Sequence, residues 1–179
     1  MDTYIAILRG INVSGHKKIK MEELRKHLEA LNFKQVQTYI QSGNIIFQTV
    51  KTEVNQLSIA INDKILKEYG FEVPTIVRNV AYFDKISKNN PFLKNPDINL
   101  ERLYVTFLAE APSENLKNEV SKITYPGEQF IISGDAIYLF CSIGYGEAKL
   151  NNNFFEKKLR VSATTRNWNT VLKLTEMGQ

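Results

Sequence analysis

The sequence is poor in side chains that bind metals or form covalent cross-links. It contains one cysteine, Cys141, and two histidines, His16 and His27. A single cysteine excludes an intramolecular disulfide framework, and these three residues do not make a tetrahedral zinc site. Neither histidine has a catalytic partner at a diagnostic spacing. The sequence therefore predicts no metal and no cofactor, and we interpret Cys141, which lies in an apolar segment, as a small core residue.

Long hydrophobic runs are also missing. No apolar segment approaches the roughly 20 residues that cross a bilayer, and the charged, periodic N-terminus does not look like a signal peptide. Apolar residues make up 43% of the chain and charged residues 23%, a composition typical of a globular protein. We therefore expect a cytoplasmic protein without a membrane partner, a location that also suits a lone reduced cysteine.

Acidic residues are absent from two stretches of this chain of net charge +4. One stretch lies between Asp2 and Glu22, and the other lies between Glu156 and Glu176. Together they carry nine of the 23 basic residues: Arg9, Lys17, Lys18, Lys20, Lys157, Lys158, Arg160, Arg166 and Lys173. This distribution favours an anionic partner, and the simpler alternative is a pair of solvated charged faces.

Apolar periodicity predicts a ferredoxin-like fold in the first half of the chain. In order, we predict a strand at 4–8, a helix with apolar positions at 21, 24, 28 and 31, strands at 36–40 and 44–48, a helix from a Thr52 cap to a stop at Gly70, and a strand at 73–77. This β-α-β-β-α-β order defines the split βαβ pattern. Its fourth strand lies at a sheet edge, where Pro74 is tolerated.

The same order recurs in the second half. We predict a short helix at 80–87, a connector, a strand at 103–108, a helix capped by Ser113, two strands flanking Ser133-Gly134, a helix at 151–159, a strand at 161–164 and a last amphipathic helix. Residues 42–47 also resemble residues 133–138 in their turn, apolar and aromatic positions.

The predicted fold class is therefore α+β. It comprises two ferredoxin-like (α-β plait) lobes in tandem with antiparallel sheets. The predicted bounds are 1–88 for the N-terminal lobe, 89–99 for the connector and 100–179 for the C-terminal lobe with its extra helix.

Polar residues collect at one predicted edge of the first sheet. The first and third strands of this fold are antiparallel neighbours, so the end of one lies beside the start of the other. The residues brought together in this way are Arg9, Gly10, Asn12, Ser42, Gly43 and Asn44. Arginine grips a carboxylate or phosphate with two hydrogen bonds, and glycines let backbone N–H groups approach an anion. We interpret this edge as a binding site for a small molecule or anion, with enzymatic activity left open.

Two alternatives bear on that interpretation. The glycines can serve turn geometry alone, and the asparagines can bond their own backbone. The glycine spacing fits neither a Walker loop nor a dinucleotide fingerprint, so no nucleotide is predicted.

A second polar cluster occupies residues 162–170. Arg166 and Asn167 would join the first site if the lobes pack with those ends together, and free N–H groups at the start of a helix favour anions. The interpretation that we favour is simpler: Thr165 or Asn167 caps the last helix, and Trp168 is core. Residues 144–146 are interpreted as a flexible loop.

Four motifs resemble one protein family. They are residues 4–13 (YIAILRGINV), 21–24 (MEEL), 39–44 (YIQSGN) and 164–171 (TTRNWNTV). They are similar to those of an uncharacterised bacterial family, domain of unknown function 1697, along essentially the whole chain. The resemblance implies two ferredoxin-like lobes, and it implies no established activity, catalytic residue or cofactor.

Two further function classes stay open behind the ligand-binding hypothesis. A nucleic-acid-binding module shares this fold and would suit the basic excess. The strand at 44–48 lacks the basic and alternating aromatic residues that stack bases, however, and we interpret Phe47 as core. A protein-interaction role would use the strand at 73–77 or the helix around Phe154 as its docking surface.

Overall fold

The computed structural model describes all 179 residues, Met1–Gln179. Its strands and helices follow the order β1 (Asp2–Leu8), α1 (Met21–Glu29), β2 (Lys34–Tyr39), β3 (Asn44–Thr49), α2 (Val54–Tyr69), β4 (Thr75–Asn79), α3 (Val80–Lys88), β5 (Leu103–Leu108), α4 (Glu114–Val120), β6 (Glu128–Ser133), β7 (Ala136–Cys141), α5 (Asn152–Leu159), β8 (Ala163–Asn167) and α6 (Trp168–Gly178). Short 3₁₀ turns lie at Pro91–Lys94, Leu100–Arg102 and Tyr145–Glu147. No helix combines the length and hydropathy that crossing a membrane requires.

The strands form two antiparallel sheets with the same topology. Their orders are β2-β3-β1-β4 and β6-β7-β5-β8. This is the ferredoxin-like order, so the predicted α+β fold with two tandem lobes is confirmed. Pro74 immediately precedes β4, which is an edge strand, and the missing N–H of the proline interrupts no ladder there.

The chain divides into two compact units. Unit 1 comprises Met1–Lys85 together with Lys173–Gln179, and unit 2 comprises Ile86–Leu172. The divisions fall inside α3 and α6, whereas the sequence predicts bounds at 88, 99 and 179. In unit 1, Gly178 packs so closely that a Cβ there would lie 2.7 Å from Val80 Cγ2. The last turn of α6 therefore packs within unit 1.

Both faces of β1, one of the two inner strands of the first sheet, are buried. Tyr4, Ala6 and Leu8 pack on the helix side of the sheet, and Ile5 and Ile7 on the other face are at most 1% exposed. Burial on both faces explains why this strand is a continuous apolar run rather than an alternating pattern.

The ends of α2 test two capping predictions. Gly70 ends the helix in the left-handed region with φ 78°, and its N–H donates to Leu66 O at 2.9 Å, as predicted. The predicted Thr52 cap is wrong. Glu53 occupies the N-cap without a side-chain hydrogen bond, because the Thr52 hydroxyl donates instead to Val50 O at 2.8 Å.

The sequence similarity between residues 42–47 and 133–138 aligns the two hairpins one residue away from the alignment given by strand pairing in the sheets. Tyr4 pairs with Phe47 in the first sheet, and Tyr104 pairs with Leu139 in the second. Leu139 therefore occupies the position of Phe47, and Tyr138 lies on the opposite face, where its hydroxyl donates to Ile86 O at 3.2 Å. Two hairpins can resemble each other in sequence while their strands start one residue apart.

The last strand also begins later than predicted. It spans Ala163–Asn167 rather than 161–164. Polar residues fill most of it, so hydropathy alone places it too early in the chain. The 89–99 connector, by contrast, is built around three similar turns. In each, an asparagine Oδ1 accepts from the N–H two residues later, at 3.0 to 3.1 Å: Asn90, Asn95 and Asn99.

Candidate functional site

The β1–α1 loop (residues 9–20) lies beside the β2–β3 hairpin, as the topology predicts. Leu8 N–H donates to Gly43 O at 2.8 Å, and Arg9 N–H donates to Pro74 O at 3.0 Å. The predicted residues of this edge are thus brought together by backbone hydrogen bonds around the end of β1.

Asn12 fastens this loop to the hairpin. Its Nδ2 donates to Gln41 O at 2.8 Å and to Ile19 O at 3.0 Å, and its Oδ1 accepts from Ile19 N–H at 2.8 Å. Both amide hydrogens are therefore engaged within the protein. Asn12 shapes the edge, and its amide is not available to donate to a ligand in this conformation.

Asn44 plays the corresponding part inside the hairpin. It is fully buried, and its Nδ2 donates to Tyr39 O at 3.0 Å and to Ser42 Oγ at 3.1 Å. These contacts close the turn between β2 and β3. Of the predicted side chains at this edge, Arg9, which is half-buried, is the one that carries charge, and Gly10 is exposed beside it.

The edge is built from strained backbone. Positive φ angles occur at five positions of the β1–α1 loop: Gly10, Asn12, Ser14, Gly15 and Lys17. The hairpin adds Ile40 at φ 52° and Gly43 at φ 82°. A positive φ is unusual for a β-branched residue, because its branched Cβ crowds the backbone. Strained conformations persist where neighbouring contacts over-determine them, and the Asn12 and Asn44 hydrogen bonds do so here.

The charged residues of the loop all have one sign, although Lys20 pairs with Glu23 of α1, 3.3 Å away. The loop carries Arg9, Lys17, Lys18 and Lys20 and no carboxylate. Lys17 Nζ donates to Glu72 O at 2.7 Å and lies 5.9 Å from the Phe71 ring. The Lys17 side chain is therefore engaged by other residues of unit 1. The edge consequently has an excess of positive charge in its immediate sequence.

The second predicted pair, Arg166 and Asn167, lies in unit 2. Arg166 is 9% exposed, and its Nη1 donates to Thr165 O at 3.0 Å. Burial lowers the pKa of this guanidinium to about 10, and the nearby Tyr145 opposes that shift. That Arg166 and Asn167 join the residues of unit 1 in one site stays a prediction.

The start of α6 confirms the simpler interpretation of this segment. Asn167 Oδ1 accepts from Asn169 N–H at 2.9 Å, which caps the helix. Trp168 is 1% exposed and belongs to the core. Thr165, the other predicted cap, instead points into a separate network.

An equivalent pair in unit 1 is absent from the sequence-based predictions. Arg78 is 8% exposed, its Nη1 donates to Val77 O at 2.8 Å, and Asn79 Oδ1 accepts from Tyr82 N–H at 2.9 Å. Arg78 pairs with Ile5 across the sheet, as Arg166 pairs with Val105 in unit 2. The signal that could have found it is an Arg-Asn dipeptide before each of two helices.

Thr165 is the centre of a closed hydroxyl network in unit 2. Its Oγ1 donates to Asn152 Oδ1 at 2.7 Å and accepts from Tyr145 Oη at 3.0 Å. Because its one hydrogen is used, the 2.7 Å contact with Thr106 Oγ1 requires Thr106 to donate. Tyr145 Oη in turn accepts from Asn152 N–H at 2.9 Å. The segment 144–146, predicted as a flexible loop, contains the start of the 3₁₀ turn Tyr145–Glu147, and the Tyr145 hydroxyl lies in this network.

Cys141 is a core residue, as predicted. It is fully buried in β7, and burial, with a smaller effect of the Glu128 charge, raises the pKa of its thiol from 9.0 to about 12. No group of three or more His, Cys, Asp or Glu side chains is placed to hold a metal ion.

From the burial of the Cys141 thiol we predict slow reaction with thiol reagents in the folded protein and a lower free energy of unfolding at alkaline pH. We expect the folded protein to resist a thiol-specific disulfide reagent at pH 8 and to react stoichiometrically once unfolded. Because the folded pKa lies above the unfolded value, the stabilisation is fully present below pH 9 and is lost as pH rises from about 9 towards 12. Urea unfolding across this range should show a decline that is smaller in Cys141→Ala. An equal decline in the variant would contradict the assignment.

Comparisons with known proteins agree with the fold. The family model described as "Protein of unknown function (DUF1697)" matches residues 1–138. A search of curated proteins finds no match. Among solved structures, the conserved bacterial protein SP0830 from Streptococcus pneumoniae superposes with a TM-score of 0.74 over 99% of both chains at 24% sequence identity. This likeness shows a shared fold. Since the family model spans well over half of the sequence, the chain belongs to the DUF1697 family of proteins of unknown function.

Proposed function

We propose that this protein binds a small anionic ligand, a carboxylate or a phosphate, at the edge formed by the β1–α1 loop and the β2–β3 hairpin. The observation that supports this function is strained backbone, locked in place by asparagine side chains, at an edge whose loop carries only positive charge. A left-handed residue other than glycine, asparagine or aspartate costs about 1–2 kcal/mol. The loop has two of them, Ser14 and Lys17, besides the left-handed Asn12.

A mere connection between β1 and α1 would not need this strain. Ile11 and Ile19 are buried, but the residues between them that adopt positive φ are exposed or half-buried and contribute little to the core. Strain without a packing benefit is typical of sites held ready for a ligand. Asn12 holds the loop in this conformation, because its side chain is hydrogen-bonded both to Ile19 at the end of the loop and to Gln41 in the hairpin.

The ligand class follows from the chemistry of the edge. A guanidinium, the group that Arg9 carries, can form two parallel hydrogen bonds with a carboxylate or a phosphate. The Gly10 backbone is exposed, and a Cβ added there would have no heavy atom within 4 Å, so an anion can approach its N–H closely. Asn12 and Asn44 act in this proposal as positioning residues.

The alternative functions receive less support from the structure. Phe47 is fully buried and stacks on Phe33 with ring centroids 4.3 Å apart, so it offers no platform for bases. Phe154 packs against Phe155 and Tyr125 with centroids 5.2 and 5.9 Å apart, which uses the aromatic helix internally rather than as a docking surface.

Arg9→Gln is the variant that tests the proposal. Native mass spectrometry of gently purified protein should show a discrete small adduct, and titration with that compound should give an affinity at least about tenfold weaker in the variant, since a charge-assisted pair is worth about 1.5–3 kcal/mol. Lys18→Gln is the matched control, because it removes one exposed charge from the same loop. We expect that control to weaken binding by less than about threefold, as a surface charge does.

Three outcomes would count against the proposal. Equal losses in both variants would indicate general charge attraction rather than a site. Unchanged binding in Arg9→Gln would remove Arg9 from the site. Absorbance at 260 nm that disappears with added salt would favour nucleic acid instead, because phosphate contacts release counterions.

A further inference from the structure

Unit 2 contains a cavity that the proposed function does not use. It has a volume of about 420 Å³ and is lined by Lys88, Asn89, Asn90, Pro91, Leu93 and Lys94. This volume lies in the range of small-molecule sites, about 300–1,000 Å³. Two lysines and no acidic residue are among the residues that line the cavity. The local charge therefore suits an anion.

Asn90 supplies the second, independent observation. It is 5% exposed, and its Oδ1 accepts from Phe92 N–H at 3.1 Å. That hydrogen bond fixes which end of the amide is oxygen, so Nδ2 is identified as the donor. Nδ2 is buried without a hydrogen-bond partner. An unmet buried donor is costly, and an acceptor oxygen that reached it would remove that cost.

The other asparagines of the connector do not share this property. Asn95 and Asn99 form the same kind of turn, with acceptor distances of 3.0 Å, but both side chains are exposed. Burial of Asn90 is thus not a requirement of the turn. The segment also packs against β7, where the Phe92 and Phe140 ring centroids are 6.4 Å apart.

We propose that this cavity binds a small oxyanion, with Lys88 and Lys94 neutralising its charge and Asn90 Nδ2 donating to one of its oxygens. Phosphate and carboxylate groups share the required chemistry: negative charge and at least two acceptor oxygens. Lys94 makes no ion pair, so its ammonium can turn to the ligand without breaking one. The site is independent of Arg9 and stands or falls separately from the proposed function.

Side-chain amide NMR of the full-length protein tests this site directly. Inorganic phosphate and acetate are titrated separately at constant ionic strength while the Asn90, Asn95 and Asn99 NH₂ signals are followed. We expect a saturable shift confined to Asn90 with at least one of the two anions. Saturation by phosphate or by acetate then identifies the preferred oxyanion. A drift shared equally by all three asparagines, or no saturation, would overturn the proposal.

Variants separate the site from general charge effects. Lys94→Gln should weaken the affinity read from the Asn90 NH₂ signals at least fivefold. Asn90→Asp, which keeps the turn acceptor but repels an anion, should weaken it at least tenfold; because this variant lacks the side-chain NH₂, its titration is followed at the Phe92 backbone N–H. Asn99→Asp is the matched control and should change it less than twofold, and Arg9→Gln should leave it unchanged. A loss of less than twofold in Lys94→Gln would overturn the proposal even if Asn90→Asp failed to fold.

Discussion

Gly43→Ala should destabilise the protein by about 2–5 kcal/mol, the sum of a left-handed backbone cost of about 1–2 and an overpacking cost of about 1–3. Gly43 has φ 82°, and an added Cβ would lie 2.7 Å from both Leu8 Cβ and Ile11 Cδ1. Leu8 Cβ is attached to the backbone of β1 and cannot move aside as a side-chain tip can. The hairpin would have to shift away from the end of β1.

Gly134→Ala is the matched control in the second hairpin. Gly134 also has a positive φ, 60°, but an added Cβ would have no heavy atom within 4 Å. That variant should lose only the backbone cost, about 1–2 kcal/mol. Urea unfolding with equal m-values in both variants measures the difference, which isolates the steric clash. Equal destabilisation would show that the close approach at Gly43 is not a constraint.

The fold was largely predictable because its signals are local. Helical spacing placed α1 and α2, and Gly70 marked the end of α2. The split βαβ order then fixed the sheet topology, because few alternatives bury these strands. Pro74 agreed with an edge position, so local and global signals pointed to the same fold.

Features that depend on distant partners were not predictable. The engagement of the Asn12 amide depends on Gln41, 29 residues away. The sequence around Asn12 does not show whether its side chain binds a ligand or holds the loop to the hairpin, since the same amide can do either. Thr52 failed as a cap for a related reason: its hydroxyl had a nearer carbonyl to bond. The assignment of Lys173–Gln179 to unit 1 likewise depends on packing that periodicity does not encode.

The two lobes share a buried arginine as well as their fold. Arg78 and Arg166 occupy the same register position in their sheets, and each donates to the carbonyl of the residue before it. A guanidinium placed so deeply costs solvation free energy, as the lowered pKa of Arg166 indicates. Because a buried arginine occurs at the same register position in both sheets, we interpret it as a feature of this lobe structure rather than of one strand.

Thr165→Val should destabilise the protein by about 2–4 kcal/mol, because it leaves several buried or part-buried groups without partners at about 1 kcal/mol or more each. Asn152 Oδ1 would lose its donor, and the hydroxyls of Thr106 and Tyr145 would lose their acceptor. Valine has nearly the shape of threonine, so the loss measures hydrogen bonding rather than packing. Thermal or urea unfolding gives the free energy, and the Tyr145 environment can be followed by its near-ultraviolet signal.

The same substitution at the neighbouring Thr164 is a control, for which we expect no loss of stability. Thr164 is 1% exposed, and its Oγ1 is buried without a partner. Thr164→Val removes that unmet hydroxyl and should leave stability unchanged or raise it by about 1 kcal/mol. The two substitutions make the same chemical change one residue apart on one strand, so their difference removes the cost of placing valine in β8. If both destabilised the protein equally, the hydroxyl network would not be the source of stability, and the packing of β8 would have to carry the effect instead.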